Sequence, residues 1–317
     1  MIVLSTVKLP NQLKEQLESS FKNVTFYHDQ KINEAKDILP KAEIILTYGE
    51  DLTDEHIEAA TNLKWIMVAS AGIEKLPFEQ LEKHNIHVTN ARGVHAIPMA
   101  EYCIAMMLQV SRQASTLMEN QKQHKWDRRV QMEELYGKTV YILGAGAIGT
   151  AIAKLSNAFG MQVLGMNRDG RAVEYFHNTY SFKEMLVPMG KADFIISVLP
   201  STEQTKGLLT YEAFKRMKED AVFINIGRGD AVIEGDLIHA LNEKQIKHAV
   251  LDVFEKEPLN EDHPFWDMEN VTVTPHLSGI TKNYLPRAMK IFEKNLKAYI
   301  EGQVSSMENI ISLEKGY

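Results

Sequence analysis

Thr139-Val140-Tyr141-Ile142-Leu143-Gly144-Ala145-Gly146-Ala147-Ile148-Gly149 is the stretch whose reading decides the fold. Its first five residues are mostly apolar and rich in β-formers, which predicts a buried strand, and the run Ile148 to Phe159 after the glycines predicts a helix. Gly-x-Gly-x-x-Gly alone is a weak signal. Between a strand and a helix it becomes the turn that carries a dinucleotide pyrophosphate. Gly144 permits the tight turn, Gly146 lets the pyrophosphate approach the backbone, and Gly149 lets helix and strand pack closely. The helix start at Ala147 and Ile148 adds N–H donors and the positive end of a dipole. A bare β-α turn with no ligand is the competing reading.

Outward from this turn, further strands are expected at Val163 to Met166, Phe194 to Leu199, Val222 to Ile226, Ala249 to Val253 and Val271 to Thr274, six with the first. The N-terminal part alternates in the same way. Strands are expected at Ile2 to Leu4, Val24 to Tyr27, Glu43 to Thr47, Trp65 to Val68 and His87 to Thr89. Helical segments lie between them, such as Asp54 to Ala60 and Pro77 to His84. Repeated β-α alternation predicts an α/β protein with parallel sheets covered by helices.

A helix from about Pro98 to Gln121 is apolar nearly all round in its first half and is expected to be buried and to bridge two domains. Lys122 to Gln131 reads as an exposed connection. In the last helix Ala288, Ile291, Phe292, Asn295, Leu296 and Tyr299 share one face, and all but Asn295 suit packing. This helix is expected to return to the first domain.

The chain has 317 residues, 44% hydrophobic and 24% charged, a length and balance that suit two soluble domains. A net charge of -7 argues against a nucleic-acid partner, which needs a basic face. The single cysteine, Cys103, excludes an internal disulfide and fits a reducing compartment. Met1 to Ser5 lacks the features of a signal peptide, and the longest apolar stretch, Tyr102 to Leu108, is too short to span a bilayer. The expected location is cytoplasmic, with no membrane partner.

The second strand of the cofactor half ends at Gly165-Met166-Asn167-Arg168. An NAD site places an acidic residue near here to hold the ribose 2′-hydroxyl. Asn167, with Arg168 and Arg171 close by, suits a 2′-phosphate instead. NADP(H) is therefore the expected cofactor, with NAD(H) open if Asp169 turns inward. Leu199 and Pro200 are expected to line the crevice. Thr205 either bonds the cofactor or caps a turn.

Three residues follow strand-like runs and carry acid–base and anion chemistry. Arg228 stands between Gly227 and Gly229, and glycines there suggest a backbone conformation that other residues disfavour. A fixed arginine can grip a carboxylate through two N–H groups. Asp252, inside an apolar run, needs a partner, for which the cofactor carboxamide or a water would serve. His276, in Thr274-Pro275-His276-Leu277-Ser278-Gly279, ends the last strand, where an acid–base group would meet the crevice. Glu255 and Glu257 compete to pair with it, raise its pKa and fix its tautomer. No His/Cys/Asp/Glu spacing suits a metal.

Together these pieces resemble the D-isomer-specific 2-hydroxyacid dehydrogenases over nearly the whole chain. The matching segments are Val68 to Leu76 (VASAGIEKL), Thr89 to Gly93, Ala100-Glu101-Tyr102, the GAGAIG turn, Asn225 to Asp230, Leu251 to Pro258 and Pro275 to Gly279. The resemblance implies a Rossmann-type dinucleotide-binding domain at 98–281. It also implies a flavodoxin-like substrate domain at 1–97, completed by a returning helix at 282–317, and a cleft that closes on binding. It implies that His276 is the acid and base, that Glu257 tunes it, and that Arg228 binds the substrate carboxylate and carbonyl. Ala71 and Gly72 would hold the carboxylate through backbone N–H groups, and Ile226, Asp252 and Gly279 would contact the cofactor. The implied activity is reversible reduction of a small 2-keto acid to the (R)-2-hydroxy acid, in a homodimer formed through the cofactor domain. Asn167-Arg168 departs from the family's usual acidic residue and resembles the NADP-using glyoxylate and hydroxypyruvate reductases. The alternative is a corepressor-like protein that senses nicotinamide nucleotides on the same fold.

Overall fold

The structure, a computed structural model, describes residues 1–28, 31–73 and 75–313. Among them the strands are β1 (Ile2–Ser5), β2 (Thr25–His28), β3 (Ile44–Thr47), β4 (Trp65–Val68), β5 (His87–Asn90), β6 (Thr139–Leu143), β7 (Gln162–Asn167), β8 (Asn178–Ser181), β9 (Phe194–Ser197), β10 (Val222–Asn225), β11 (His248–Leu251) and β12 (Val271–Val273). The α-helices are α1 (Asn11–Ser20), α2 (Asp54–Ala59), α3 (Phe78–Lys83), α4 (Ala96–Ser111), α5 (Ala114–Lys122), α6 (Ala147–Ala158), α7 (Tyr211–Phe214), α8 (Glu234–Asn242) and α9 (Tyr284–Ile300). The chain forms two compact units, Met1–Val94 with Thr281 onward, and His95–Ile280.

The first unit holds a parallel sheet in the order β2-β1-β3-β4-β5. This is the doubly wound 2-1-3-4-5 order of flavodoxin-like folds. Every residue of β3 and β4 is buried, as in a sheet covered on both faces. Side chains alternate between two cores: Leu4, Ile45 and Ile66 face one, Val3, Ile44 and Trp65 the other. Phe292 and Leu296 of α9 complete the second core, where Trp65 stacks on Phe292 and Tyr299 with ring centroids 5.5 and 5.6 Å apart. Asn295 corrects the sequence reading. It is fully buried, because its amide accepts the Glu308 N–H at 2.7 Å and donates to the Glu308 carbonyl at 3.0 Å. A buried amide is tolerated once its hydrogen bonds are made.

The second unit holds seven parallel strands in the order β12-β11-β10-β9-β6-β7-β8. The sequence reading expected six. The seventh, β8, is an edge strand of four residues, Asn-Thr-Tyr-Ser, none of them fully buried, so no apolar run announces it. The strand order reverses between β6 and β9, the switch point at which such sheets bind ligands.

The long apolar helix is also corrected. It begins at Ala96, because Pro98 falls in the first turn, where its missing N–H costs nothing. It then breaks into α4 and α5 at Gln113, which adopts a left-handed conformation with φ 53°. α4 belongs to the second unit. It buries Met99, Cys103 and Met107 but exposes Glu101 and Ala105. The connection that follows is exposed, Trp126 most of all.

One group in this sheet gives the fold a pH dependence. His248 on β11 has Nε2 2.9 Å from the Thr272 hydroxyl, and burial, aided by Lys247, lowers its pKa to about 4. The folded state keeps this imidazole neutral, whereas the unfolded chain protonates it near its ordinary value of about 6.5. Its contribution is complete above that value and is lost as pH falls toward about 4. The expected loss is about 3 kcal/mol. Urea unfolding of wild type and His248→Gln across this range should show a flatter curve for the variant; parallel curves would remove His248 from the account.

Candidate active site

The turn after β6 has the geometry of a phosphate cradle. Gly144 has φ 115°, and a Cβ there would lie 3.2 Å from the Val198 carbonyl oxygen just past β9. A Cβ on Gly149 would lie 2.0 Å from the Gly144 carbonyl oxygen. Only glycine lets α6 start this close to the turn. Gly146 is exposed, and a Cβ there meets no protein atom within 4 Å. Ala147 is exposed and Ile148 half-buried at the start of α6, where no side chain caps the helix. An uncapped N-terminus beside an open glycine fits a pyrophosphate.

At the end of β7, Asn167 builds its own turn. Its Oδ1 accepts the Gly170 N–H at 2.6 Å and its Nδ2 donates to the Arg171 carbonyl at 2.7 Å. Arg168, Asp169 and Arg171 remain exposed. The side chain of Asn167, expected to meet the cofactor, is thus tied into the turn that presents the arginines.

Several more residues expected at the cofactor have side chains engaged within the chain itself. Thr205 caps a turn: its hydroxyl donates to the Pro200 carbonyl at 2.6 Å and accepts the Thr202 N–H at 2.9 Å. The side chains of Leu199 and Ile226 are buried in the core, which leaves the exposed Pro200 to face outward. Asp252 is fully buried, and the partners it needed come from the chain itself. Its Oδ1 accepts from the Thr274 hydroxyl at 2.6 Å and the Leu277 N–H at 2.9 Å, and its Oδ2 from the Ser278 N–H at 2.9 Å.

Arg228 is exposed between two buried glycines. Neither glycine has a positive φ, contrary to expectation. Close approach requires them instead. A Cβ on Gly227 would lie 2.5 Å from the Leu199 carbonyl oxygen, and one on Gly229 1.9 Å from the Phe254 carbonyl carbon. The backbone around Arg228 is wedged between two neighbouring loops, so its guanidinium projects from a fixed base. Nη1 donates to the Gly227 carbonyl at 2.9 Å.

Of the two competing carboxylates, Glu257 pairs with the histidine. Its Oε2 lies 2.7 Å from His276 Nδ1, and its Oε1 accepts the Phe254 N–H at 3.0 Å. His276 has φ 50°, unusual for a residue with a side chain and a form of strain that collects at functional sites. Half of its side chain is exposed, and its backbone N–H reaches the Asp252 carbonyl at 2.9 Å.

His95, just before α4, carried no signal in the sequence. Its Nδ1 lies 3.4 Å from the Gly279 carbonyl oxygen, and a Cβ on Gly279 would come within 2.9 Å of that nitrogen. Burial, then the Gly279 hydrogen bond acting in the opposite direction, then the nearby Arg228 and His276 set its pKa, with a net lowering below the ordinary histidine range. Gly279 is thus needed for the contact with His95.

In the first unit, side chains engage the carbonyls of the loop after β4. Asn90 Nδ2 donates to the Ala71 carbonyl at 2.7 Å, the Ser70 hydroxyl to that of Gly72 at 2.9 Å, and the Tyr284 hydroxyl to that of Ala69 at 2.5 Å. Glu74, part of the matching segment, lies outside the described residues, as do residues 314–317 of the expected C-terminal segment.

The NAD-binding domain of the D-isomer specific 2-hydroxyacid dehydrogenases matches residues 104–278. The chain belongs to that family. It is similar to D-3-phosphoglycerate dehydrogenase of Methanocaldococcus jannaschii, 32% identical over 85% of this chain and 51% of that one. The chain therefore spans about half the length of this relative. It is also similar to glyoxylate/hydroxypyruvate reductase B of Escherichia fergusonii, 31% identical over 94% of each chain. Among solved structures, the chain is similar to the NADPH-dependent glyoxylate/hydroxypyruvate reductase of Sinorhizobium meliloti, in complex with NADP and sulfate. It shares 25% identity and a TM-score of 0.79 over 100% of this chain and 99% of that one.

Proposed function

We propose that the protein reduces a small 2-keto acid, of the glyoxylate or hydroxypyruvate class, to the (R)-2-hydroxy acid, with NADP(H) preferred over NAD(H). The observation that carries this reading is the His276–Glu257 pair at 2.7 Å, in the same unit as the uncapped, glycine-rich start of α6. When bound, the nicotinamide supplies the hydride.

The chain's own residues do the rest. A carboxylate can only accept, so Nδ1 of His276 carries the hydrogen shared with Glu257, and Nε2 is the nitrogen that exchanges a proton with the substrate oxygen. In reduction it donates; in oxidation it accepts. Arg228 orients the substrate carboxylate and stabilises charge that develops on the carbonyl oxygen. The same reading carries a homodimer formed through the second unit and a cytoplasmic location. Among the described residues no helix is long and apolar enough to cross a membrane.

The nucleotide preference rests on Asn167, in place of an acidic residue at the end of β7, and on the exposed Arg168 and Arg171 beside it. Replacing both by alanine should lower kcat/KM for NADPH by ~10- to 100-fold, the worth of one or two charge-assisted hydrogen bonds, and leave NADH turnover nearly unchanged. Steady-state kinetics with both nucleotides on glyoxylate and hydroxypyruvate test this. A wild-type preference for NADH would overturn the nucleotide assignment, and absence of turnover on every 2-keto acid would overturn the reaction.

A further inference from the structure

The buried carboxylate of Asp252 has no cation among its hydrogen-bond partners; it is held by one hydroxyl and two backbone N–H groups. Two of those donors belong to Leu277 and Ser278, directly after His276. The His276 N–H itself reaches the Asp252 carbonyl. Asp252 therefore grips the loop that carries His276 from both its main chain and its side chain. That grip matters because His276 is held at φ 50°, a conformation the residue would leave if released.

Behind Asp252 the chain of hydroxyls continues. The Tyr102 phenol on α4 lies 2.7 Å from Thr274 Oγ1, which lies 2.6 Å from Asp252 Oδ1. Thr274 has a single hydroxyl proton, and the carboxylate can only accept it. Tyr102 must then be the donor to Thr274. The direction is fixed along the chain, Tyr102 to Thr274 to Asp252, and each bond polarises the next. Burial raises the phenol pKa, so the donor at the head of the chain keeps its proton through any ordinary assay pH.

We propose that Tyr102 and Thr274 are positioning residues that, through Asp252, fix the loop placing His276 against Glu257. Glu257 is anchored separately, by the Phe254 N–H. The pair thus has two independent supports, and slackening the Asp252 side lets the imidazole swing away from a carboxylate that stays in place. An apolar contact under α4 would serve packing alone, whereas a fully connected polar chain specifies one arrangement.

The proposal rests on His276 being the proton-transfer residue, so its test includes a readout that needs no turnover. The variants are Thr274→Val, Thr274→Ser and Tyr102→Phe in the full chain. The nitrogen chemical shifts of His276, measured by NMR, report its tautomer. Wild type and Thr274→Ser should show one tautomer, with the proton on Nδ1. Thr274→Val should show a mixture, with kcat lowered by ~10-fold, as loss of a hydrogen bond to a charged group implies, and KM for the nucleotide unchanged. Tyr102→Phe should move both readouts in the same direction by less. If Thr274→Val does not fold, Tyr102→Phe keeps the ring and carries the test alone. Variants that lose thermal stability but keep the His276 tautomer and kcat would overturn the proposal. A wild type with the expected tautomer and no turnover would sink the reaction while leaving the positioning role standing.

Discussion

His276→Ala should lower kcat by ~10²–10⁴, the usual worth of a positioned acid–base group, while nucleotide affinity stays close to wild type. The geometry separates the two effects. The imidazole is half exposed and tied to Glu257, while the glycine turn before α6 bonds back to the Met166 carbonyl at the end of β7. Removing the ring leaves the phosphate cradle as it was and takes away the group that protonates the substrate oxygen. Nucleotide binding followed by fluorescence, beside steady-state kinetics on the same preparation, reads both quantities. Turnover at the wild-type rate would remove His276 from the mechanism, and an equal loss of nucleotide binding would make its role structural.

The second large effect is expected at Gly229. A Cβ there would lie 1.9 Å from the Phe254 carbonyl carbon, 2.0 Å from its oxygen and 2.5 Å from the Glu255 nitrogen. All three are backbone atoms, so no side chain can turn aside. Either the turn bearing Arg228 or the loop bearing Glu257 must move. Gly229→Ala should therefore cost about 3 kcal/mol of stability, at the upper end for overpacking, and ~10²-fold in kcat/KM through misplacement of reacting groups. Gly235 in α8 is the control: an added Cβ meets nothing within 4 Å, and alanine suits a helix better than glycine. Urea unfolding and kinetics of both variants test the pair. A Gly229→Ala enzyme as stable and active as Gly235→Ala would show that the two loops are free to part.

The centres of eleven of the twelve described strands, all but β8, and the Gly144–Gly149 turn were legible in the sequence because each depends on local pattern: apolar runs for buried parallel strands, and glycines at fixed offsets for a tight turn. What could not be read depends on partners far along the chain. Asn295 looks like a flaw in an apolar face until the Glu308 backbone is seen to satisfy its amide. The reason for the glycines around Arg228 lies in Leu199 and Phe254, remote in sequence, and not in their own φ values. Asp252 was recognisable as a buried acid in need of partners. Their identity, a loop about 25 residues later, was not. Spacing alone leaves Glu255 and Glu257 open; the resemblance implies Glu257, and the turn brings that carboxylate to 2.7 Å. His95 gave no signal, since a histidine before an apolar helix shows no periodicity.

The most direct test is to incubate the purified protein with NADPH and glyoxylate or hydroxypyruvate and to identify the product by chiral chromatography. The expected result is one NADPH oxidised to NADP+ for each keto acid reduced to the 2-hydroxy acid, of (R) configuration where the product is chiral, with the reaction lost in His276→Ala. Tight nucleotide binding with every keto acid returned unchanged would contradict it and favour a nucleotide-sensing protein on the same fold.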